Sequence, residues 1–207
     1  MSKLVGWDIE GGGGNKVEFT KFPEGLTKIR LVDTVPHIRW THWINLQRKS
    51  VNCPGKDCPI CEIRKKQKAS GENYTHNMAK RFSLQVINRN NGKLEVMEQG
   101  ITFFEDLKMV LLMAVEEGIA INAVDFAVRR KGSGKDDTSY RIDLAERYEL
   151  NEADKKLIEE KSINLDEYFS PNTIDQVQRI LNGEDWATVM SDNDEEESNN
   201  EVEFELE

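Results

Sequence analysis

Lys80–Gln99 reads KRFSLQVINRNNGKLEVMEQ, with apolar and polar residues alternating on both sides of Asn91-Gly92. Alternation with a period of two is typical of a β-strand that is buried on one face. Asn-Gly between two such segments is a strong signal for a tight hairpin turn. The stretch therefore predicts an antiparallel hairpin, with Phe82 on its core face.

The regions around this hairpin contain further strands and a few helices. Strands are predicted at Thr27–Val35, His37–Leu46, Ala123–Arg129 and Ser139–Leu144. A short helix is predicted at Ile63–Ala69, and a longer one at Phe103–Glu117, with a Thr102/Glu105 capping box before it and a stop at Gly118. A third helix is predicted to begin at Ser170-Pro171, with an apolar stripe formed by Ile174, Val177, Ile180 and Leu181. About six strands with one internal helix and a helical C-terminal appendage favour a mainly β fold, a small Greek-key barrel, over a parallel α/β sheet.

Charge is distributed unevenly along the 207 residues. Residues 1–100 hold 17 Lys and Arg against 10 Asp and Glu, whereas residues 101–207 hold 11 against 28. Residues 191–207 carry nine acids and no base, which predicts a disordered tail. The net charge of -10 therefore does not exclude a polyanionic partner for the basic half.

Composition also indicates a segment order and a compartment. We expect an N-terminal segment with a glycine hinge (1–24), a β domain (25–148), a helical appendage (149–190) and the acidic tail (191–207). No apolar run approaches the ~20 residues of a membrane span, and the first residues lack the apolar core of a signal peptide. These features predict a cytoplasmic protein without a membrane partner.

The cysteine loop, residues 42–61 with its histidine, contains the sharpest chemical motif. Cys53, Cys58 and Cys61 form a C-x4-C-x2-C pattern rich in Pro and Gly. Such turns place thiolates on one tetrahedral zinc ion, so we expect one structural zinc per chain. His42, eleven residues before Cys53, could return to the loop as fourth ligand, and His37 is the alternative.

Single-stranded nucleic acid is bound by cations that contact phosphates and by exposed rings on which bases stack. On strand parity Trp43 shares a face with Arg39 and is the better stacking candidate, whereas Trp40 shares a face with Ile38 and Ile44. The residues expected to contact nucleic acid are Arg30, Arg39, Trp43, Arg48, Lys49, Lys80, Arg81, Arg89, Arg129, Arg130, Lys131, Tyr140 and Arg141.

The chain resembles the single-stranded DNA-binding proteins of tailed phages, in particular the zinc-containing helix-destabilising proteins of T-even phages. The resemblance rests on THWINLQRKSVNCPGKDCPICEIRKKQK (residues 41–68), on KRFSLQVINRNNGKLEVMEQG (residues 80–100) and on the acidic tail. It implies an OB-like barrel with the zinc loop inserted between early strands. It also implies that His42 completes the metal site.

The resemblance implies a role as well. Such a protein would coat and protect DNA strands during phage replication, recombination and repair in the cytoplasm of the bacterial host. Its tail, with Phe204 and Leu206 as contacts, would recruit replication proteins and compete with DNA. Self-association on DNA stays open, because Lys3 is the only base among residues 1–15.

Two other classes of function compete with this interpretation. Cys58-Pro-Ile-Cys61 is also the spacing of a thiol oxidoreductase, and a zinc-bearing protein-interaction or transcription accessory module fits the same composition. The sequence contains no H-E-x-x-H, G-x-S-x-G or G-x-G-x-x-G motif, so we expect no catalytic activity.

Overall fold

A computed structural model describes residues 17–134 and 137–191. The fold is mainly β, with antiparallel pairing and a few helices. Its strands are β1 (Gly25–Leu31), β2 (His37–Ile44), β3 (Lys49–Asn52), β4 (Asn77–Asn88), β5 (Lys93–Gln99), β6 (Val124–Lys131) and β7 (Ser139–Arg147). Its helices are α1 (Pro59–Ser70), α2 (Ile101–Glu116), α3 (Glu152–Lys161), α4 (Leu165–Tyr168) and α5 (Ile174–Leu181).

The chain forms two compact units. The first, here called the sheet unit, comprises the described parts of residues 1–36, 83–98 and 102–162. The second, the cysteine unit, comprises residues 37–82, 99–101 and the described part of 163–207. These units cut across the predicted segments, because residues from the predicted appendage belong to the same unit as the cysteine loop.

In the sheet unit, β1 lies between β4 and β6, and β7 continues the sheet beyond β6. The register places Ile29 opposite Phe126, and Val128 opposite Ile142. All four side chains are buried, as expected when opposite residues share one face of an antiparallel pair. The hairpin predicted at Asn91-Gly92 is present as β4 and β5, with Gly92 at a positive φ of 71°.

Helix α2 covers part of this core and differs slightly from its prediction. It begins at Ile101, so Thr102 lies inside the helix and the predicted capping box is wrong. Phe103 is buried against the ring of Phe22, with 5.6 Å between ring centroids. The predicted stop at Gly118 is confirmed, since its backbone is left-handed and its N–H donates to the Val115 carbonyl.

In the cysteine unit, β2 lies between β3 and β4. Strand β3 falls inside the predicted loop, and Cys58 is the N-cap of α1, which begins earlier than predicted. Helix α5 begins at Ile174 behind a Thr173/Gln176 capping box, so the predicted start at Pro171 is wrong.

The core of the cysteine unit joins the loop to the C-terminal segment. Its buried apolar residues are Ile44, Val51, Cys58, Ile60, Val177, Ile180 and Val189. Ile174, predicted within the apolar stripe of α5, is instead exposed. No helix among the described residues is long and apolar enough to cross a membrane.

Candidate metal centre and nucleic-acid surface

Four side chains converge at one point in the cysteine unit. His42 comes from β2, Cys53 follows β3, and Cys58 and Cys61 lie at the start of α1. Their ligand atoms all lie within 4.8 Å of one another. This is the predicted set, and the cluster could hold a metal ion.

Three of the six spacings between these atoms are close to those of a tetrahedral site. His42 Nε2 is 3.5 Å from the sulfurs of both Cys58 and Cys61, and the sulfurs of Cys53 and Cys61 are 3.7 Å apart. A zinc ion with bonds of about 2.3 Å to sulfur and about 2.0–2.1 Å to nitrogen gives tetrahedral edges of roughly 3.6 Å (N to S) and roughly 3.8 Å (S to S). The donor set is therefore compatible with a closed four-coordinate site.

Local backbone geometry brings the sulfurs together. The N–H of Cys53 donates to the Trp40 carbonyl, which fixes the loop to β2. Gly55 then takes a positive φ of 85°, and its N–H points at the Cys53 sulfur, 3.4 Å away. Pro59 at the beginning of α1 fits the N1 preference of proline, so Cys58 and Cys61 lie on its first turn.

The alternative histidine makes other contacts. His37 Nδ1 lies 2.7 Å from a carboxylate oxygen of Asp166, and the His37 ring stacks on Phe169. His37 is not among the four clustered residues. The geometry therefore favours His42 as the fourth ligand.

Burial sets the protonation states of the cluster. It lowers the pKa of His42 to about 4, with Arg64 and His76 adding to the effect. It raises the pKa of Cys61 to about 12 and also raises the pKa of Cys53. The imidazole is thus neutral and ready to bind a metal, whereas metal binding must displace protons from the thiols.

These properties disfavour the oxidoreductase alternative. A redox dithiol needs an accessible thiolate of low pKa. Cys58 is only 1% exposed, and the pKa of its partner Cys61 is raised. The buried Cys58 is therefore a poor candidate for an attacking thiolate.

Strand β2 exposes two indole rings. Trp40 is 47% and Trp43 is 42% exposed, and the Lys80 ammonium lies 5.9 Å from the Trp40 ring centroid. Trp43 was predicted at the surface, but Trp40 was placed on the core face with Ile38. Ile38 is also exposed, because only the half of β2 next to the cluster buries that face.

Of the other residues predicted to contact nucleic acid in the cysteine unit, one packs against the protein and three are exposed. The Arg39 guanidinium lies 3.5 Å from the Phe169 ring centroid and donates to Asn52, which gives it a packing role. Arg48 and Arg81 are exposed. Lys49 is exposed too, with its ammonium 5.3 Å from the ring of Trp186.

Two predicted DNA contacts in the sheet unit are internal ion pairs. Arg30 is fully buried and donates to Asp125 at 2.5 Å, so its assignment to the binding surface is wrong. The Arg89 guanidinium donates to both carboxylate oxygens of Asp154, at 2.7 and 3.0 Å, and this hydrogen bonding lowers the pKa of Asp154. Arg89 also donates to Asp125, so its role is structural.

Arg130 and Tyr140 face inward as well. Arg130 donates to the Phe22 carbonyl, and the Tyr140 ring packs edge-on against Phe22 and Phe103. These contacts give both side chains a packing role in the sheet unit.

Three of the predicted cations are exposed where β6 ends and β7 begins. Arg129 lies directly opposite Arg141, and Lys131 follows two residues later on the same face. All three are exposed. Like charges directly opposite in a sheet are destabilising. The Asp143 carboxylate, which accepts from Arg141 at 3.1 Å, offsets part of this repulsion, and a bound anion would relieve more of it. Phe204, Leu206 and the rest of the tail after Ser191 lie outside the described residues.

A distant relative is the probable ssDNA-binding protein of Escherichia phage T5. It is 28% identical over an alignment of 160 residues, and the match covers 69% of this chain and 60% of that protein. The chain thus spans less than two thirds of its relative's length. No family model and no solved structure matches the chain. The relative is a phage protein, and the narrower likeness to the T-even proteins stays a prediction.

Proposed function

We propose that this chain binds single-stranded DNA without sequence specificity and without catalysis. The observation that carries the proposal is the exposure of two indole rings on β2, with Trp40 and its neighbour Lys80 on one face and Trp43 on the other. Exposed rings beside cations are what a sequence-tolerant stacking surface requires. The name of the phage T5 relative supports the same ligand.

Phosphates would be bound by cations in each unit. In the cysteine unit the candidates are Arg48, Lys49, Lys80 and Arg81. In the sheet unit they are Arg129, Lys131 and Arg141, of which Arg129 and Arg141 face each other and Arg141 also donates to Asp143. Such contacts release counterions from DNA, so binding depends steeply on salt.

The proposal includes an OB-like barrel. Strand β1 pairs with both β4 and β6, the hairpins β4–β5 and β6–β7 follow, and α2 connects them. This connectivity supports a five-stranded Greek-key design with β2, β3 and α1 as an insertion between its first two strands. OB-folds bind oligonucleotides, which agrees with the proposed ligand.

We propose zinc as the ion of the cysteine unit, one per chain. Three thiolates and one imidazole suit zinc, and four protein ligands leave no open position for substrate. The ion would therefore fix the end of β2, which carries Trp43, to the loop and to the start of α1. A zinc-bearing interaction module without DNA affinity is the competing function.

The biological setting follows as part of the proposal. The protein would act in the cytoplasm of a bacterial host, protecting strands exposed during phage DNA replication, recombination and repair. Its acidic tail would compete with DNA and present Phe204 and Leu206 to replication proteins. The composition of residues 191–207 supports this, with nine acids and no base.

Removal of either indole ring is expected to weaken binding. We expect Trp40→Ala and Trp43→Ala each to cost about 1–3 kcal/mol in affinity for oligo-dT, because each removes one stacking platform. Fluorescence anisotropy of a labelled oligo-dT measures the change. Both rings are exposed, so the melting temperature should change little.

Two variants serve as controls. Trp43→Phe keeps an aromatic face and should retain most of the affinity. Leu46→Ala removes an exposed apolar side chain after β2 without removing a ring, and should have no effect. Wild-type affinity in both tryptophan-to-alanine variants would contradict the stacking mechanism.

Truncation after Met190 is expected to raise single-strand affinity several-fold at 50 mM salt. The tail is a tethered polyanion, so its effective concentration near the cations is high. Screening shortens the range of its charge to about 8 Å at 0.15 M salt, and the gain should therefore fade as salt increases. Phe204→Ala should leave DNA affinity unchanged while weakening capture of a replication protein. If truncation leaves affinity at 50 mM salt unaltered, the tail does not compete with DNA.

A further inference from the structure

Helix α2 exposes an apolar surface on the side opposite its core contacts. Phe103, Leu107 and Ala114 are buried, whereas Met109, Leu112, Met113 and Val115 are between 47% and 61% exposed. With 3.6 residues per turn, Met109 and Leu112 project almost directly away from the buried side. The far side of the helix thus mixes exposed apolar side chains with charged ones, among them Glu105, Lys108 and Glu116.

Large exposed apolar side chains that lie close together among polar residues indicate an interaction site. Within the described residues, more than half of the Met109 and Met113 side chains stays exposed to solvent.

The charges that flank the patch favour a second copy of the same chain. Lys108 and Glu116 lie one helical turn before and after Leu112, on the same side of α2. In an antiparallel pair of α2 helices with Leu112 at the two-fold axis, Lys108 of each copy meets Glu116 of the other. A parallel pair would place like charges together.

We propose that α2 is a self-association surface, which pairs two copies of this chain through Leu112, Met109 and two Lys108–Glu116 ion pairs. One helix face buries little area, and contacts below about 1,200 Å² in total are typical of weak, transient complexes. The dimer is therefore weak in free solution. If the proposed function holds, copies that are adjacent on one strand associate more readily, because their effective concentration is high.

Sedimentation of the full-length, zinc-loaded protein without DNA tests the proposal independently of DNA binding. We expect a reversible monomer–dimer equilibrium between about 10 µM and about 1 mM. Leu112→Glu should weaken it by about tenfold or more, since it places two carboxylates at the axis. Lys108→Glu and Glu116→Lys should each weaken it several-fold.

The combined variant Lys108→Glu/Glu116→Lys is the decisive arm. It restores opposite charges across the interface and should return the dissociation constant to within about twofold of wild type. Val35→Glu, at an exposed apolar position after β1, is the matched control and should not change association. A monomer at every concentration, a dimer insensitive to Leu112→Glu, or a double variant as weak as the single ones would overturn the proposal.

Discussion

Cys58→Ser is expected to abolish tight zinc binding and to destabilise the cysteine unit. Cys58 is both a proposed ligand and a buried member of the apolar core that joins Ile60 to Val177. In small metal sites the free energy of metal binding is also free energy of folding. We expect a loss of about 4 kcal/mol or more, which lowers the melting temperature by about 10 °C.

Native mass spectrometry and thermal melting measure the two effects together. His42→Ala should also reduce zinc content, whereas His37→Ala should retain the ion, because His37 pairs with Asp166 away from the cluster. Release of zinc by His37→Ala alone would show that the fourth ligand is misassigned. A wild-type protein purified without zinc, or with a Cys58–Cys61 disulfide, would contradict the metal proposal itself.

Arg30→Ala is expected to destabilise the sheet unit by up to about 3–5 kcal/mol, because it removes the fully buried cation that pairs with the Asp125 carboxylate. The Arg30 guanidinium is fully buried, and it donates to Asp125 and to the carbonyls of Asn122 and Tyr148. Arg89 still contacts Asp125 and compensates part of the loss. Urea titration followed by circular dichroism measures the change.

Arg129→Ala provides the matched comparison for Arg30→Ala. Arg129 lies on the exposed face of β6, so its loss should leave stability nearly unchanged and should reduce the salt dependence of DNA binding. Arg30→Ala should show the reverse: lower stability, and unchanged DNA affinity under conditions where it remains folded. A stable Arg30→Ala variant with weakened DNA binding would return Arg30 to the binding surface.

Local patterns were sufficient where they are strong. The Asn91-Gly92 hairpin, the stop at Gly118 and the convergence of the three cysteines all depend on neighbouring residues, and the structure contains each of them. The choice between His42 and His37 as fourth ligand depends on which part of β2 lies beside the cysteines. Sequence spacing left both histidines possible, and the resemblance to phage proteins implied His42.

Long-range packing explains the errors. Strand parity assigns a residue to a face but does not say whether another element covers that face. Arg30 was therefore expected at the surface, although Ile29, Arg30 and Leu31 are all buried. Trp40 was expected in the core for the same reason. An acid directly opposite on β6, Asp125, was a usable signal for the buried arginine.

The most direct test of the central claim is the affinity for oligo-dT compared with a duplex of equal length, at 150 mM salt with zinc bound. We predict that the single strand binds, quenches tryptophan fluorescence and shows a log–log salt slope of about -0.7 per phosphate neutralised. The duplex should bind far more weakly, because stacking on Trp40 and Trp43 needs unpaired bases. Equal affinity for the two, or no binding of oligo-dT, would contradict the proposed function.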